Sequence, residues 1–390
     1  MTSPRPLASL KRLILMPLLL ASLALPVGAF ETRARAAWVY DMTTNTVLLD
    51  KDAHESIPPA SMSKLMTVNL LFEALRDNRV TLDERFTVST RAKEMEGSTM
   101  FLNELDHPTI EELIKGVVVL SGNDACVTVA EGLAGSEEEF AKKMNERAQA
   151  LGLKESHFAN ATGWPDPGQL MSMHDLGTLA VRLITEFPDY YKYFSITEFP
   201  YDGRSPDNRF NRNPLLKMNI GADGLKTGHT EEAGYGLVGS AVQDGRRIVF
   251  AISGLASDKE RADEAPAIAT WAFREFSMRT LAKEGTRMAE APVWLGAEKT
   301  VGLVVDKDMT LLLPSTAQGN LKAEVKYTGP IKAPIAKGTH LADMVIDIPG
   351  HAPATVPLVA EADVPAGGFS SRVGTAFGMM TRRLMAQISG

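Results

Sequence analysis

The chain contains a single cysteine, Cys126, so it forms no internal disulfide and dithiol redox chemistry is excluded. Cys126 lies in an apolar run, which is typical of a small core residue rather than a nucleophile. Basic residues show no excess either: 41 Lys and Arg stand against 48 Asp and Glu, a net charge of −7. A nucleic-acid partner, which requires a basic face, is therefore not expected.

Metal-binding spacings are also missing, because the seven histidines are scattered and form no H-x-x-x-H pattern. We therefore expect no metal site and no cofactor. Six histidines are expected at the surface or in structural roles: His54, His107, His157, His174, His340 and His351.

The apolar stretch at residues 13–25 is too short to span a membrane comfortably. Small residues follow it at 27–29, which completes the pattern of a secretory signal peptide. Its N-terminal flank is basic, with Arg5, Lys11 and Arg12. We predict a signal peptide at 1–29 with cleavage before Phe30, or alternatively after Ala36. Without a cysteine near this site a lipoprotein anchor is excluded, and the mature protein is expected in the periplasm.

Apolar periodicity and turn residues predict an α+β domain over residues 30–285. Its antiparallel sheet is expected to combine strands from both ends of this segment, near residues 38–49 and 235–252. A small all-β domain is predicted at 286–366, where alternating apolar residues are separated by Pro- and Gly-bearing turns. The helices are expected at 61–75, 110–120, 125–133, 137–151, 173–184 and 262–281.

The last segment, 367–390, is predicted to be an amphipathic helix that attaches to the membrane surface. Its apolar residues recur at intervals of four and three, and arginines flank or oppose them. The alternative is a helix that packs on its own protein or a frayed tail. The apolar stripe consists of Val373, Phe377, Met380, Leu384 and Ile388.

Ser61 and Lys64 form a Ser-x-x-Lys motif at the start of a predicted helix, which places both side chains on one face. Serine becomes a good nucleophile only when a neighbouring base takes its proton. Lysine can be that base if burial or a second cation lowers its pKa, and Lys226 is the expected second cation. The motif alone is weak evidence, since both residue types are common.

Ser121-Gly122-Asn123 follows an apolar run and precedes the next predicted helix. Ser121 is suited to relay a proton between Lys64 and a leaving group. Asn123 offers both a donor and an acceptor, to Lys64 and to a substrate amide. A plain helix cap is the alternative, because Ser and Asn are favoured there.

Lys226-Thr227-Gly228 is predicted on an edge strand, where Gly228 lets a substrate backbone approach closely. Lys226 and Thr227 are then expected to hold a terminal carboxylate. An ordinary strand start is the alternative for this motif in isolation. The order of the three motifs is the signature of class A β-lactamases and penicillin-binding proteins.

The residues around these motifs resemble the low-molecular-mass penicillin-binding proteins, specifically the D-alanyl-D-alanine carboxypeptidases of peptidase family S11, penicillin-binding protein 5 type. The resemblance runs from about Trp38 to the C-terminus and is looser in the β-domain. It implies a serine β-lactamase/D,D-peptidase-like fold. The matching stretches are residues 59–67, 120–126 and 223–230, with lesser matches at 97–102, 211–213, 233–235 and 261.

The resemblance implies that Ser61 attacks the carbonyl between the two terminal D-alanines of a peptidoglycan stem peptide, with Lys64 as general base. It further implies that Ser121 and Asn123 assist the proton transfer and the binding of the substrate amide. Lys226 and Thr227 would anchor the carboxylate, and β-lactams would acylate Ser61. Other implied site residues are Gly228, His229, whose N–H completes the oxyanion hole with that of Ser61, and Arg212 and Arg261, which orient the carboxylate.

Three other functions are kept as alternatives: a β-lactamase, a D,D-endopeptidase of the same fold, and a non-catalytic protein that binds the cell wall. The β-lactamases use a glutamate to activate the deacylating water. Glu94 and Glu96 are near enough in sequence to the motifs to be considered, but are expected to be solvated charges. The Ser-Gly-Asn motif, where class A β-lactamases have Ser-Asp-Asn, favours the carboxypeptidase.

Overall fold

The computed structural model describes residues 30–204, 207–317, 321–348 and 353–368. The predicted signal peptide and residues 369–390 of the predicted tail lie outside the described residues. Every helix and strand below belongs to one compact unit that begins at Thr32. The predicted α+β class is confirmed, since an antiparallel sheet flanked by helices is followed by a β-rich part.

The first sheet has five strands in the order β2–β1–β5–β4–β3, and all neighbours are antiparallel. It combines strands from both ends of the segment, and β3 lies at its edge. Asp244 and Gly245 join β4 to β5 with φ of 49° and 76°, as a tight hairpin turn requires. The strands are β1 (Ala36–Asp41), β2 (Thr46–Lys51), β3 (Ala222–Thr230), β4 (Gly234–Gln243) and β5 (Arg246–Leu255).

Several of the helices begin at a serine or threonine cap. Ser136, Ser172 and Ser257 each accept an N–H from the residue three positions later, which satisfies a donor that the helix leaves free. The helices are α1 (Lys64–Arg76), α2 (Thr90–Lys93), α3 (Ile110–Lys115), α4 (Asn123–Ala134), α5 (Glu137–Leu151), α6 (Met173–Glu186), α7 (Pro188–Tyr191) and α8 (Asp258–Glu275).

Three helix predictions were wrong at an end. Residues 61–63 form a 3-10 turn before α1, and residues 116–120 form a single π-helical turn after α3. The helix predicted at 262–281 begins at Asp258 and ends at Glu275. Its expected last turns instead form β6 (Phe276–Ala282), because that segment pairs with β9 (Met309–Pro314), and tertiary pairing overrides local propensity.

The β-rich part contains a six-stranded sheet in the order β10–β12–β13–β8–β7–β11. It has its own apolar core, which includes Leu303, Met344 and Leu358. The β7–β11 pair is parallel. The domain boundary between residues 285 and 286 stays a prediction. The strands are β7 (Arg287–Trp294), β8 (Thr300–Val305), β10 (Lys322–Lys326), β11 (Ile331–Lys332), β12 (His340–Asp347) and β13 (Ala354–Ala360).

Candidate active site

Ser61 lies in the 3-10 turn Ala60–Ser63 that leads directly into α1. The preceding residue, Ala60, has a φ of 49°, a left-handed conformation that residues with a side chain rarely adopt. Such backbone strain persists only where the surroundings enforce it, and it is common at functional sites. The turn presents Ser61 to a cleft of about 820 Å³. Members of all three motifs line this cleft: Ser61, Ser121, Asn123, Thr227 and Gly228.

Lys64 is fully buried at the first position of α1. Its Nζ donates to Ser61 Oγ at 2.9 Å, to Asn123 Oδ1 at 2.7 Å and to the carbonyl oxygen of Thr162. All three acceptors are neutral, so no contacting anion compensates for the lost hydration of an ammonium. Burial lowers the pKa of Lys64 to about 8. The amine is therefore positioned and poised to take the proton of Ser61.

The second motif surrounds Lys64 with a fixed hydrogen-bond network. Ser121 ends the π-helical turn with a φ of 60°, and Asn123 begins α4. The amide of Asn123 is held from both sides, because its Oδ1 accepts from Lys64 and its Nδ2 donates to the carbonyl of Glu96 at 2.8 Å. Asn123 thus orients the lysine.

Lys226 extends from β3 toward the second motif. It is buried, and its Nζ donates to Ser121 Oγ at 3.0 Å and to the carbonyl of Thr227 at 3.1 Å. Burial lowers its pKa well below the ordinary value, and repulsion from Arg212 and Lys64 adds to the effect. The site therefore holds two lysine–serine pairs, Lys64 with Ser61 and Lys226 with Ser121.

Burial, one of the two causes that the sequence allows, is confirmed as the main cause of the lowered pKa of Lys64, whereas the cation involved is not the expected one. The sequence suggests Lys226 as the second cation, but burial is the main cause, and the cation that lowers the pKa further is Arg212. Motif spacing identifies charges, whereas burial depends on how α1 and α4 pack. Burial of this kind cannot be read from three short motifs.

Gly228 has a structural role besides the one that the sequence suggests. A Cβ at this position would lie 2.9 Å from the carbonyl oxygen of Pro59 and 3.0 Å from the side chain of Met62. The edge strand β3 therefore packs directly on the turn that carries Ser61. Glycine is required here for that close packing.

The remaining predicted site residues lie around the cleft. The ring of His229 stacks on Tyr235 with centroids 3.8 Å apart. The guanidinium of Arg261 lies over the same Tyr235 ring, 5.6 Å from its centroid. Arg261 also pairs with Asp258. Arg212 donates to Ser98 Oγ at 2.9 Å and to the carbonyl of Leu120 at 3.1 Å. Eight of the ten predicted site residues line one cleft, and the other two, the buried Lys64 and Lys226, bond to Ser61 and Ser121 in its wall.

Sequence reasoning missed the wall of the cleft at residues 160–164. Asn160 Oδ1 accepts the backbone N–H groups of Thr162, Gly163 and Trp164, at 3.1, 2.8 and 3.2 Å. This turn aims the Thr162 carbonyl at Lys64. Gly163 has a φ of 78°, and a Cβ there would lie 2.0 Å from the carbonyl oxygen of Ala60. The prolines and glycines at 163–168 signal a turn, but a carbonyl acceptor has no sequence signature.

Carboxylates do not contact the reacting pair in the part of the chain that the structure describes. The hydrogen-bond partners of Lys64 Nζ are all neutral, and Ser61 Oγ is bonded to Lys64. Glu94 and Glu96 are exposed, and Glu96 contributes its backbone carbonyl to Asn123. Neither glutamate lines the cleft that holds Ser61.

Comparison with known proteins agrees with this geometry. The family model of D-alanyl-D-alanine carboxypeptidase, peptidase S11, matches residues 23–256, and that of the penicillin-binding protein 5 C-terminal domain matches residues 276–366. D-alanyl-D-alanine carboxypeptidase DacF of Bacillus subtilis (strain 168) is 35% identical over 345 residues, which cover 86% of this chain and 87% of that relative.

Solved structures show the same fold. Penicillin-binding protein 5 of Haemophilus influenzae superposes with a TM-score of 0.69 at 29% identity, covering 87% of this chain and 99% of that one. Penicillin-binding protein D2 of Listeria monocytogenes, in its ampicillin-bound form, superposes with a TM-score of 0.56 at 28% identity, covering 61% of this chain and 96% of that one. The chain therefore belongs to the D-alanyl-D-alanine carboxypeptidase family, peptidase family S11, and is a serine-type carboxypeptidase of the penicillin-binding protein group.

Proposed function

We propose that the protein removes the terminal D-alanine from peptidoglycan stem pentapeptides through an acyl-enzyme on Ser61. The observation that carries the proposal is the 2.9 Å hydrogen bond between the buried Lys64 Nζ and Ser61 Oγ. With a pKa of about 8, Lys64 is neutral in about a tenth of the molecules at pH 7, and in these molecules it is a competent base.

Acylation begins when neutral Lys64 takes the proton of Ser61 as Oγ attacks the carbonyl carbon between the two D-alanines. The new Oγ–C bond forms a tetrahedral intermediate, whose oxyanion is stabilised by the backbone N–H groups of Ser61 and His229. The C–N bond then breaks, and Lys64 returns the proton that it accepted, through Ser121, to the departing amine. Lys226 supports this step, because its hydrogen bond orients the Ser121 hydroxyl.

The terminal carboxylate of the substrate is proposed to lie near Thr227, Arg212 and Arg261, which line the cleft. Lys226 is buried and bonded to Ser121, so we assign it an electrostatic contribution to carboxylate binding rather than a direct contact. Asn123 is proposed to bind the substrate amide while its Oδ1 holds Lys64.

Water then hydrolyses the acyl-enzyme. The absence of a carboxylate contact to Ser61 or Lys64 among the described residues supports slow turnover of a β-lactam adduct. We therefore propose that β-lactams act as covalent inhibitors, as the ampicillin-bound relative suggests. This argues against a β-lactamase. A D,D-endopeptidase would use the same acylation chemistry, so substrate assays must separate the two.

The test is to incubate the purified mature protein with a D-Ala-D-Ala pentapeptide and, separately, with a fluorescent penicillin. We expect release of D-alanine and a stable fluorescent adduct, both lost in Ser61→Ala. Ser195→Ala is the matched control, because its exposed hydroxyl bonds only to the carbonyl of Lys192. Rapid turnover of penicillin would favour a β-lactamase, and an active Ser61→Ala would eliminate the acyl-enzyme.

We further propose that the protein is exported by the segment 1–29 and works at the outer face of the cytoplasmic membrane. In the part of the chain that the structure describes, no helix is long and apolar enough to cross a membrane. We propose that residues 367–390 make the attachment. Fractionation of cells that express the protein with and without the residues after Gly368 tests this. We expect loss of membrane association on truncation, and unchanged association would refute it.

A further inference from the structure

Two histidines and a glutamate come together away from the cleft. The possible ligand atoms of His54, Glu155 and His174 all lie within 4.8 Å of one another. His54 follows β2, Glu155 follows α5, and His174 is the second residue of α6, so three separate segments meet here. None of the three lines the cleft that holds Ser61.

Backbone hydrogen bonds fix these segments against one another. The N–H of His174 donates to the carbonyl of Ala53 at 2.9 Å, which sets the spacing between the two histidines. The hydroxyl of Ser56 donates to the carbonyl of Glu155 at 2.9 Å. The three side chains therefore project from a scaffold that is already in place.

Asp175 provides the support that a metal-binding histidine typically has. It is fully buried, and its Oδ1 lies 3.3 Å from His174 Nδ1. A carboxylate at this nitrogen holds the proton on Nδ1 and leaves the lone pair of Nε2 free for a metal. The other oxygen, Oδ2, accepts the N–H of Glu155 at 2.9 Å, so one buried carboxylate orients both segments.

The local charge also favours a cation. Asp50, Glu155 and Asp175 surround the two imidazoles, with Asp50 Oδ2 at 3.8 Å from His54 Nε2 and Glu155 Oε1 at 3.7 Å from His54 Nδ1. Two imidazoles and a carboxylate are a donor set that zinc prefers.

We propose that His54, Glu155 and His174 bind one Zn²⁺ ion, with water at the fourth position. Ligands at about 2.1 Å from zinc lie about 3.4 Å apart in a tetrahedral site. The two rings stack with centroids 4.4 Å apart, so binding requires His54 to turn about its side-chain bonds. It is free to do so, because 55% of its side chain is exposed.

The ion would connect the segment before the Ser61 turn to the segment before the cleft wall at 160–164. Both segments are short, so the ion would brace two of the three parts of the chain that contact Lys64, those that carry Ser61 and Thr162. The inference is independent of the proposed reaction, because none of its residues contacts Ser61 or Lys64 in the described structure. Spacing along the chain predicted no metal site, since His54 and His174 are far apart in sequence.

Calorimetric titration of the chelator-treated protein with zinc chloride tests the proposal, with thermal unfolding as a second readout. We expect one zinc ion per chain and a higher midpoint of unfolding with zinc. His54→Ala and Glu155→Gln should each weaken binding at least about tenfold, because even loss of a supporting hydrogen bond costs about 10–100-fold. Asp175→Asn should weaken zinc binding by about 10–100-fold.

The matched control is His340→Ala, which removes another exposed histidine that lies 2.9 Å from a carboxylate, that of Asp343. It should bind zinc like the wild type. Unchanged penicillin acylation in metal-free His54→Ala would show that this variant is folded. The proposal is overturned if the wild type binds no zinc, or if His54→Ala and Glu155→Gln bind it as tightly as the wild type.

Discussion

The rate of acylation by a penicillin should follow the deprotonation of Lys64. Only the neutral amine can accept the proton of Ser61, and burial lowers the pKa of Lys64 to about 8. The observed inflection belongs to the coupled pair of buried lysines, because Lys64 and Lys226 repel each other when both are charged. The rate should therefore rise with pH and level off.

The expected size of this rise follows from the neutral fraction. With a pKa of about 8, about 0.1 of the lysine is neutral at pH 7 and about 0.9 at pH 9, a tenfold gain that then ends. An ordinary lysine with a pKa of 10.5 would give about a hundredfold gain over the same interval and no plateau. The two cases differ in shape as well as in size.

Stopped-flow measurement of the acylation rate constant at saturating penicillin, from pH 6 to pH 10, provides the assay. Arg212→Met should move the inflection to higher pH, because the Arg212 charge helps to lower the pKa of Lys64. Arg209→Met is the matched control, since Arg209 pairs with Glu198 and does not line the cleft. Its profile should match that of the wild type.

Two outcomes would refute this reasoning. A rate that stays constant from pH 6 to pH 10 would mean that deprotonation of Lys64 does not limit acylation. A rate that still rises tenfold per pH unit above pH 9 would mean that the fold does not lower the pKa of the lysine. A shift of the Arg212→Met profile to lower pH would contradict the assigned electrostatics.

Further variants test other parts of the structure. Lys64→Met should abolish acylation yet raise the free energy of unfolding at pH 7 by up to about 3 kcal/mol, since the folded pKa of about 8 lies below the unfolded 10.5. The unfolded chain binds more protons between these values, so wild-type stability rises with pH across that window. The gain in free energy of unfolding of Lys64→Met, measured with urea, should be smaller at pH 10 than at pH 7. An equal gain at both pH values would contradict the lowered pKa of Lys64. Gly163→Ala should acylate at least about tenfold more slowly, because its Cβ would clash with the Ala60 carbonyl that fixes the Ser61 turn. Gly152→Ala is its control, since it also has a positive φ, 74°, but nothing within 4 Å, and it should cost only about 1 kcal/mol of stability. Equal acylation by the two alanine variants would refute the packing argument.

Much of the fold is accessible from local patterns. The hairpin turn at Asp244 and Gly245 and the helices capped by Ser136 and Ser172 follow from short-range chemistry, and the structure has them close to the expected places. The strand after Glu275 is different. Residues 276–282 become a strand because β9 lies beside them, and that partner is more than twenty residues away.

The features of the candidate site also fall into two groups, those that short motifs identify and those that depend on the folded structure. The side chains Ser61, Lys64, Ser121 and Lys226 are identifiable from motif order, since their chemistry depends on residue type. The Thr162 carbonyl is a backbone acceptor, which every residue type offers. Its role therefore depends on the Asn160 turn and not on residue type. Burial of Lys64 is likewise a property of packing, which no single stretch of sequence encodes.

The turn that carries Ser61 is confined by glycines from two directions, Gly163 in the cleft wall and Gly228 in β3. This arrangement limits how the enzyme can evolve under β-lactam selection. Substitutions that enlarge either glycine displace the nucleophile, so they remove the essential reaction together with sensitivity to the drug. Adaptive change is therefore directed to the exposed part of the cleft lining, which includes Glu231 and Glu232.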